Sequence, residues 1–183
     1  MHGMNILIDP IFSQRSSPIS FMGPKRFSEP PLTIEELSEI DIVIISHDHY
    51  DHLDMKSIKE LDSKVDKYIV PLGVNKHLER WNIDESKIKD MAWWEEIEIN
   101  GLTIDCNPAR HFSNRRGFNI DSTLYASWVL KDENYQIYES GDGGFVEASE
   151  KTETEAITPK IGETVDLSNY KDYQEKWWRD IES

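Results

Sequence analysis

A chain of 183 residues, 38% hydrophobic and 30% charged, has the size and balance of one globular domain and is too apolar for a disordered polymer. Its formal net charge of -15, from 35 acidic and 20 basic residues, repels polyanions, so no nucleic-acid partner is expected and anionic membrane surfaces are poor ones. The densest apolar run, residues 42–45, is far too short to cross a bilayer, and no transmembrane segment is expected. The stretch Met1-His2-Gly3-Met4 lacks the basic and apolar regions of a signal peptide, and the single Cys106 cannot form an internal disulfide. Both features point to a cytoplasmic location.

In chain order, residues 5–12 read as a strand running into a turn, with Ile6, Leu7 and Ile8 apolar and Asp9-Pro10 ending the run. Residues 13–31, rich in Ser, Pro and Arg, read as a long loop. The pattern from Thr33 to Leu37 predicts a short capped helix. Residues 42–45 form a buried strand, and Asp54 caps a helix that places Met55, Ile58 and Leu61 on one face. Tyr68-Ile69-Val70 is the next strand, and Pro71 opens a helix with Val74, Leu78 and Trp81 inward. Ile97 and Ile99 alternate up to Asn100-Gly101, and Leu102, Ile104 and Cys106 alternate back, which predicts a hairpin with a two-residue turn. Residues 123–130 and 135–139 predict a second hairpin ending in Gly141-Asp142-Gly143-Gly144. Residues 146–156 are acidic and weakly patterned, and residues 161–165 read as a last strand before Trp177-Trp178.

Three stretches share one design, an apolar strand followed by a loop rich in metal-type ligands. The strand at 42–45 leads to His47-Asp48-His49-Tyr50-Asp51-His52, the strand ending at Cys106 leads to His111, and the strand ending near Glu139 leads to Asp142. A sheet fixes where each loop emerges, so ligands distant in sequence can converge. Three histidines and two carboxylates within six residues are hard to explain by packing, whereas His2 and His77, the latter placed on the outer part of a helix, read as structural or exposed. His47 and His49, two apart on an extended segment, can reach one ion from the same side. Asp51 and His52, displaced by a turn, can reach a second. His111 would complete the first site, and Asp142 would lie between the two. Two ions about 3.5–4 Å apart would acidify a water and stabilise the attacking and leaving oxygens of a displacement. Arg26, Arg115 and Arg116 are candidates for holding a phosphate, with surface ion pairing the more ordinary role. Trp93-Trp94 and Trp177-Trp178 fit packing better than a lipid groove.

His47-Asp48-His49-Tyr50-Asp51-His52 resembles the HxHxDH signature of the metallo-β-lactamase superfamily. The flanking stretches Ile8-Asp9-Pro10-Ile11-Phe12-Ser13, Gly23-Pro24-Lys25-Arg26, Val70-Pro71-Leu72-Gly73, Trp93-Trp94-Glu95, Pro108-Ala109-Arg110-His111-Phe112-Ser113 and Gly141-Asp142-Gly143-Gly144-Phe145 are similar to the branch containing N-acyl-phosphatidylethanolamine-hydrolysing phospholipase D. The resemblance implies an α/β fold, the αββα sandwich of that superfamily. It also implies two zinc ions: His47, His49 and His111 on one, Asp51 and His52 on the other, Asp142 bridging, and Asp9 orienting the cluster from behind. Asp51 and Asp142 are the carboxylates it places at the reaction. The implied activity is phospholipase D-like hydrolysis of a small or lipid-like phosphodiester by a metal-bound hydroxide, with a lactonase-type hydrolase as the alternative.

The departures from the family pattern shape one further expectation. The family carries a final metal-binding histidine in a second α/β half, yet no histidine follows His111, and Phe145 runs directly into a segment resembling the family's end. The expected organisation is therefore a single domain over 1–183, with the metal-site half at 1–145, an incomplete sandwich, and a C-terminal piece at 146–183. For such a chain one zinc is the alternative to the family's two, a catalytically impaired metal-binding remnant is the alternative to an active hydrolase, and self-association through exposed sheet is expected.

Overall fold

A strand that is apolar on both faces can be stable only if both are covered, and Ile40–Ile44 (β2), apolar at every residue but Asp41, is such a strand. The computed structural model describes residues 1, 3–19, 21–115 and 122–143, which lie in the first of two compact units, Met1–Gly144. β2 sits inside a four-stranded parallel sheet of order β1-β2-β3-β4, with β1 at Ile6–Ile8, β3 at Val65–Pro71 and β4 at Ile88–Met91. A second sheet is antiparallel, in the order β5 (Glu96–Ile99), β6 (Leu102–Pro108), β7 (Ala126–Lys131) and β8 (Gln136–Glu139).

The two faces of β2 feed two separate cores. Val43 and the following Ile45 pack with Ile58 and Leu61 of α1 (Met55–Leu61) and Leu78 of α2 (Asn75–Arg80). Ile42 and Ile44 pack toward the second sheet with Ile69, Met91, Leu102, Ile104, Cys106, Trp128 and Leu130. The layers among the described residues are therefore helix, sheet, sheet. No helix of the described residues lies over the outer face of the second sheet, which gives three of the four layers of an αββα sandwich.

The predicted hairpin forms as expected. Ile99 pairs with Leu102, and Asn100 and Gly101 both take positive φ, 51° and 84°, as the tight turn of a twisted two-stranded ribbon requires. The second hairpin pairs Lys131 with Gln136.

Three local expectations are corrected, and one strand is new. Thr33 to Leu37 makes a single turn rather than a helix. Its capping contacts form, with the Glu36 carboxylate accepting from Thr33 N and Oγ1 at 2.8 and 3.0 Å, but the chain gains no second turn to propagate them. Pro71 closes β3, and α2 begins only at Asn75. Asp54 does cap α1, accepting from Ser57 N at 3.0 Å, yet Met55 points to solvent while Ile58 and Leu61 are buried. β4 has no clear signature, because Ile88–Met91 carries two charges in four residues.

The predicted last strand at 161–165, the acidic stretch 146–156, Trp177-Trp178, Arg116 and His2 lie outside the described residues.

Trp128 joins the layers: its fully buried ring fills the inter-sheet core and its indole N–H donates to Ile45 O at 3.1 Å. Replacing Trp128 by Ala is expected to cost about 3–5 kcal/mol, measured by denaturant unfolding followed by circular dichroism.

Candidate metal centre

Each ligand-bearing loop begins where a strand ends. β2 runs into Ser46 and His47, both buried, and the turn that follows brings His49, Asp51 and His52 back toward them. β6 is the strand that precedes the loop carrying His111, and β8 precedes the turn carrying Asp142. The three loops meet. His111 Nε2 lies 3.1 Å from His47 Nε2 and 3.2 Å from His49 Nδ1. Ligand atoms of His47, His49, His111 and Asp142 all lie within 4.8 Å of one another, as do those of Asp51, His52 and Asp142. Asp142 is common to both groups, and its Oδ1 is 3.0 Å from His52 Nε2.

The imidazoles are held from behind. Asp9, at a positive φ of 45° just after β1, accepts from Ser46 N at 2.7 Å and lies 2.7 Å from His52 Nδ1. Ser46 Oγ lies 2.9 Å from His47 Nδ1. These contacts occupy the Nδ1 atoms and turn Nε2 of both rings inward, the arrangement that fixes ring orientation and tautomer in metal sites. The turn bearing Asp142 is packed against the same serine. Gly141 has φ 54°, and a Cβ there would come within 2.9 Å of Ser46 Cβ, so only glycine lets the turn approach this closely.

Electrostatics divide the imidazoles into two kinds. Burial, and then the neighbouring His52, His49 and His111, push His47 down to about 2, so it presents a free lone pair at any ordinary pH. His111 is lowered for the same first reason, burial, followed by His49. At His52 burial opposes charge, but the Asp9 hydrogen bond and the charges of Asp9, Asp142 and Asp51 overcome it and raise the group to about 9. Imidazoles converging within hydrogen-bond distance, bordered by carboxylates, form a donor set that could hold a cation. With nitrogen and oxygen donors and no thiolate, the set suits a divalent transition metal.

Cys106 takes no part. It is buried in the inter-sheet core, and its thiol is pushed up to about 12 by burial and Glu95.

Comparison with known proteins agrees with this geometry. A model of the beta-lactamase superfamily domain matches residues 4–162. The chain belongs to the metallo-β-lactamase superfamily. It is 39% identical over 147 residues to an uncharacterised Mycobacterium tuberculosis protein, covering 80% of this chain and 39% of that one. It is 35% identical over 169 residues to N-acyl-phosphatidylethanolamine-hydrolyzing phospholipase D 1 of Caenorhabditis elegans, covering 87% of this chain and 47% of that one. The chain thus spans less than half the length of either relative. Among solved structures, an isothiocyanate hydrolase from Delia radicum gut bacteria superposes with a TM-score of 0.59 at 21% identity, over 82% of this chain and 60% of that one. The diiron β-hydroxylase CmlA from Streptomyces venezuelae superposes with a TM-score of 0.55 at 16% identity, over 92% and 36%. At those identities the superpositions establish the fold. The metallo-β-lactamase architecture expected from the histidine signature is therefore present, and relatives in the family are metal-dependent hydrolases.

Among the other residues singled out from sequence, Arg115 is engaged with the chain itself. Its Nη1 donates to Asp48 O at 2.8 Å and Leu53 O at 2.7 Å, with the guanidinium over the rings of Tyr50 and Trp81 at 4.3 and 5.0 Å. Arg26 donates to Ile11 O at 3.1 Å through Nη2, and its buried Nε and Nη1 have no partner among the described residues. Trp93 donates to Tyr125 O and packs edge-on against that ring, while Trp94 is exposed. His77 faces inward rather than outward, with Nε2 3.6 Å from Asp48 Oδ2.

Glu139 is the residue whose part in the site the sequence pattern does not reveal, since it looks like an ordinary strand end. Its Oε1 accepts from Gly141 N at 2.8 Å, holding the Asp142 turn, while Oε2 is buried with no partner among the described residues. Burial first, and then Asp9, raise it to about 7. A carboxyl with a raised folded-state pKa contributes stability that is complete below the unfolded value and lost as pH rises toward 7. In metal-free protein, Glu139→Gln keeps the acceptor for Gly141 and is expected to be about 2–3 kcal/mol more stable than wild type at pH 8, with the gap closing near pH 4.5. Paired urea melts at the two pH values measure this.

Proposed function

We propose that this chain is a zinc-dependent hydrolase acting on a small or lipid-like phosphodiester in the manner of the phospholipase D relatives. The observation that carries the reading is the convergence of His47, His49 and His111 from two loops onto one point, with Asp142 beside them. His47, His49, His111 and Asp142 would hold one zinc ion, and Asp51, His52 and Asp142 are the residues that would hold a second. A bound zinc ion supplies Lewis acidity and an acidified water.

The chain's own residues do the remaining work. Asp9 and Ser46 keep the imidazoles of His52 and His47 turned inward, so the ligand set is preorganised. Asp51 and Asp142, the carboxylates bordering the imidazoles, hold the proton lost by the attacking water. Asp142 is the most solvent-accessible of the first group of ligands, which puts it on the substrate side. The second group contains one imidazole against three in the first, so an ion there would be held less tightly. A cytoplasmic location, a single domain over 1–183 and self-association through exposed sheet belong to the same reading.

Rates against N-acyl-phosphatidylethanolamine, simpler phosphodiesters and lactones, with and without added Zn²⁺, test the assignment. Zinc-dependent phosphodiester cleavage is expected, and His111→Ala is expected to lower it on the order of 100-fold together with the zinc retained after dialysis. Cleavage of lactones alone would move the chain to the lactonase class. Retained zinc without turnover of any substrate would leave a metal-binding remnant.

A further inference from the structure

Asp48 lies between two metal-type histidines and is itself only 1% exposed, yet its side chain points away from them. In an extended segment alternate side chains face opposite ways. Here His47 and His49 face the metal centre while Asp48 lines a separate cavity of about 200 Å³ with His77, Arg80 and Thr123. A buried carboxylate is costly unless its oxygens are engaged. One oxygen is: Asp48 Oδ1 accepts from Asn114 N at 3.1 Å. Asn114 lies three residues beyond His111, so this bond ties the loop of His47 and His49 to the loop of His111. The adjoining residue repeats the tie from the same side, since Arg115 donates to Asp48 O and Leu53 O and so closes the turn that carries His49, Asp51 and His52. The second oxygen faces His77 Nε2 of α2 across 3.6 Å.

We propose that Asp48 is a positioning residue that, with Arg115, locks the His111 loop to the His47–His49 loop and thereby sets the spacing of the three imidazoles. Metal affinity in such a site depends on holding ligands from different loops at fixed separation before the ion arrives. Asp48 supplies that constraint from the face opposite the ion, through a hydrogen bond to backbone rather than through contact with any ligand. The inference rests on the metal-site reading above.

The test is the zinc affinity of the full chain, measured by competition with a chromogenic chelator, together with the visible spectrum of the Co²⁺-substituted protein. Asp48→Asn retains an oxygen acceptor for Asn114 N–H and is expected to bind zinc within about 3-fold of wild type with an unchanged cobalt spectrum. Asp48→Ala loses the tie and is expected to bind 10–100-fold more weakly, with a cobalt spectrum altered in position or intensity. Rescue by Asn with loss in Ala separates positioning through the hydrogen bond from a need for charge. An Asp48→Ala protein that folds by circular dichroism and binds zinc as wild type does would overturn the proposal, as would an Asn variant as weak as the Ala one. If Asp48→Ala does not fold, Arg115→Met decides. A several-fold weaker affinity supports the lock, and an unchanged one overturns it. Wild-type protein that retains no zinc would overturn the metal-site reading and this inference with it, whereas zinc-binding wild type with unaffected variants overturns this inference alone.

Discussion

The double burial of β2 is the constraint on which the metal centre depends. Ile42 and Ile44 are fixed in the inter-sheet core, Val43 and Ile45 in the core beneath the helices. A strand gripped on both faces and paired on both edges cannot twist or slide without disturbing two close-packed interiors. Its C-terminal end is therefore the most rigid place from which to project a ligand, and His47 projects from it. Ser46 continues the constraint outward: its N–H and hydroxyl bind Asp9 at the end of β1, and its carbonyl accepts from Ala126 N in β7. One serine thus connects both sheets to the imidazoles of His47 and His52.

Charge organises the rest of the site. The chain is strongly acidic overall, and the carboxylates Asp9, Asp51, Glu139 and Asp142 gather around a knot of imidazoles. Without a cation this arrangement is frustrated. Burial favours neutral His47, the surrounding carboxylates favour charged His52, and Glu139 is pressed toward its protonated form. A divalent ion held by these residues would satisfy imidazole lone pairs and carboxylate charge together. The same account explains why loss of one ligand loop would be felt at the others, since each loop is braced by hydrogen bonds to its neighbours rather than by the ion alone.

Much of this was legible in the sequence, and the rest was hidden for identifiable reasons. The β5–β6 hairpin announces itself through Asn100-Gly101, where local backbone chemistry alone dictates the turn. The ligand loops announce themselves through residue types that packing does not call for. Tertiary contact decided the remainder. Arg115 reads as a phosphate arm because guanidinium suits phosphate, and the fold adds what the sequence hides, that its Nη1 donates to two backbone carbonyls. His77 reads as exposed on helical periodicity alone, and it turns inward because α2 lies over the loop of Asp48. Glu139 and Ser46 carry no local mark of their roles, which exist only once strand ends meet. The short turn at Thr33 shows the converse: its cap was readable, but a cap does not make a helix without length to propagate it.

The central claim is that two strand-end loops present three imidazoles to one ion. X-ray absorption at the zinc edge of protein loaded with one equivalent of zinc tests this most directly. The account predicts a nitrogen and oxygen shell at about 2.0–2.1 Å, with multiple scattering from three imidazoles. Scattering from sulfur near 2.3 Å, or an oxygen shell with at most one imidazole, would contradict it.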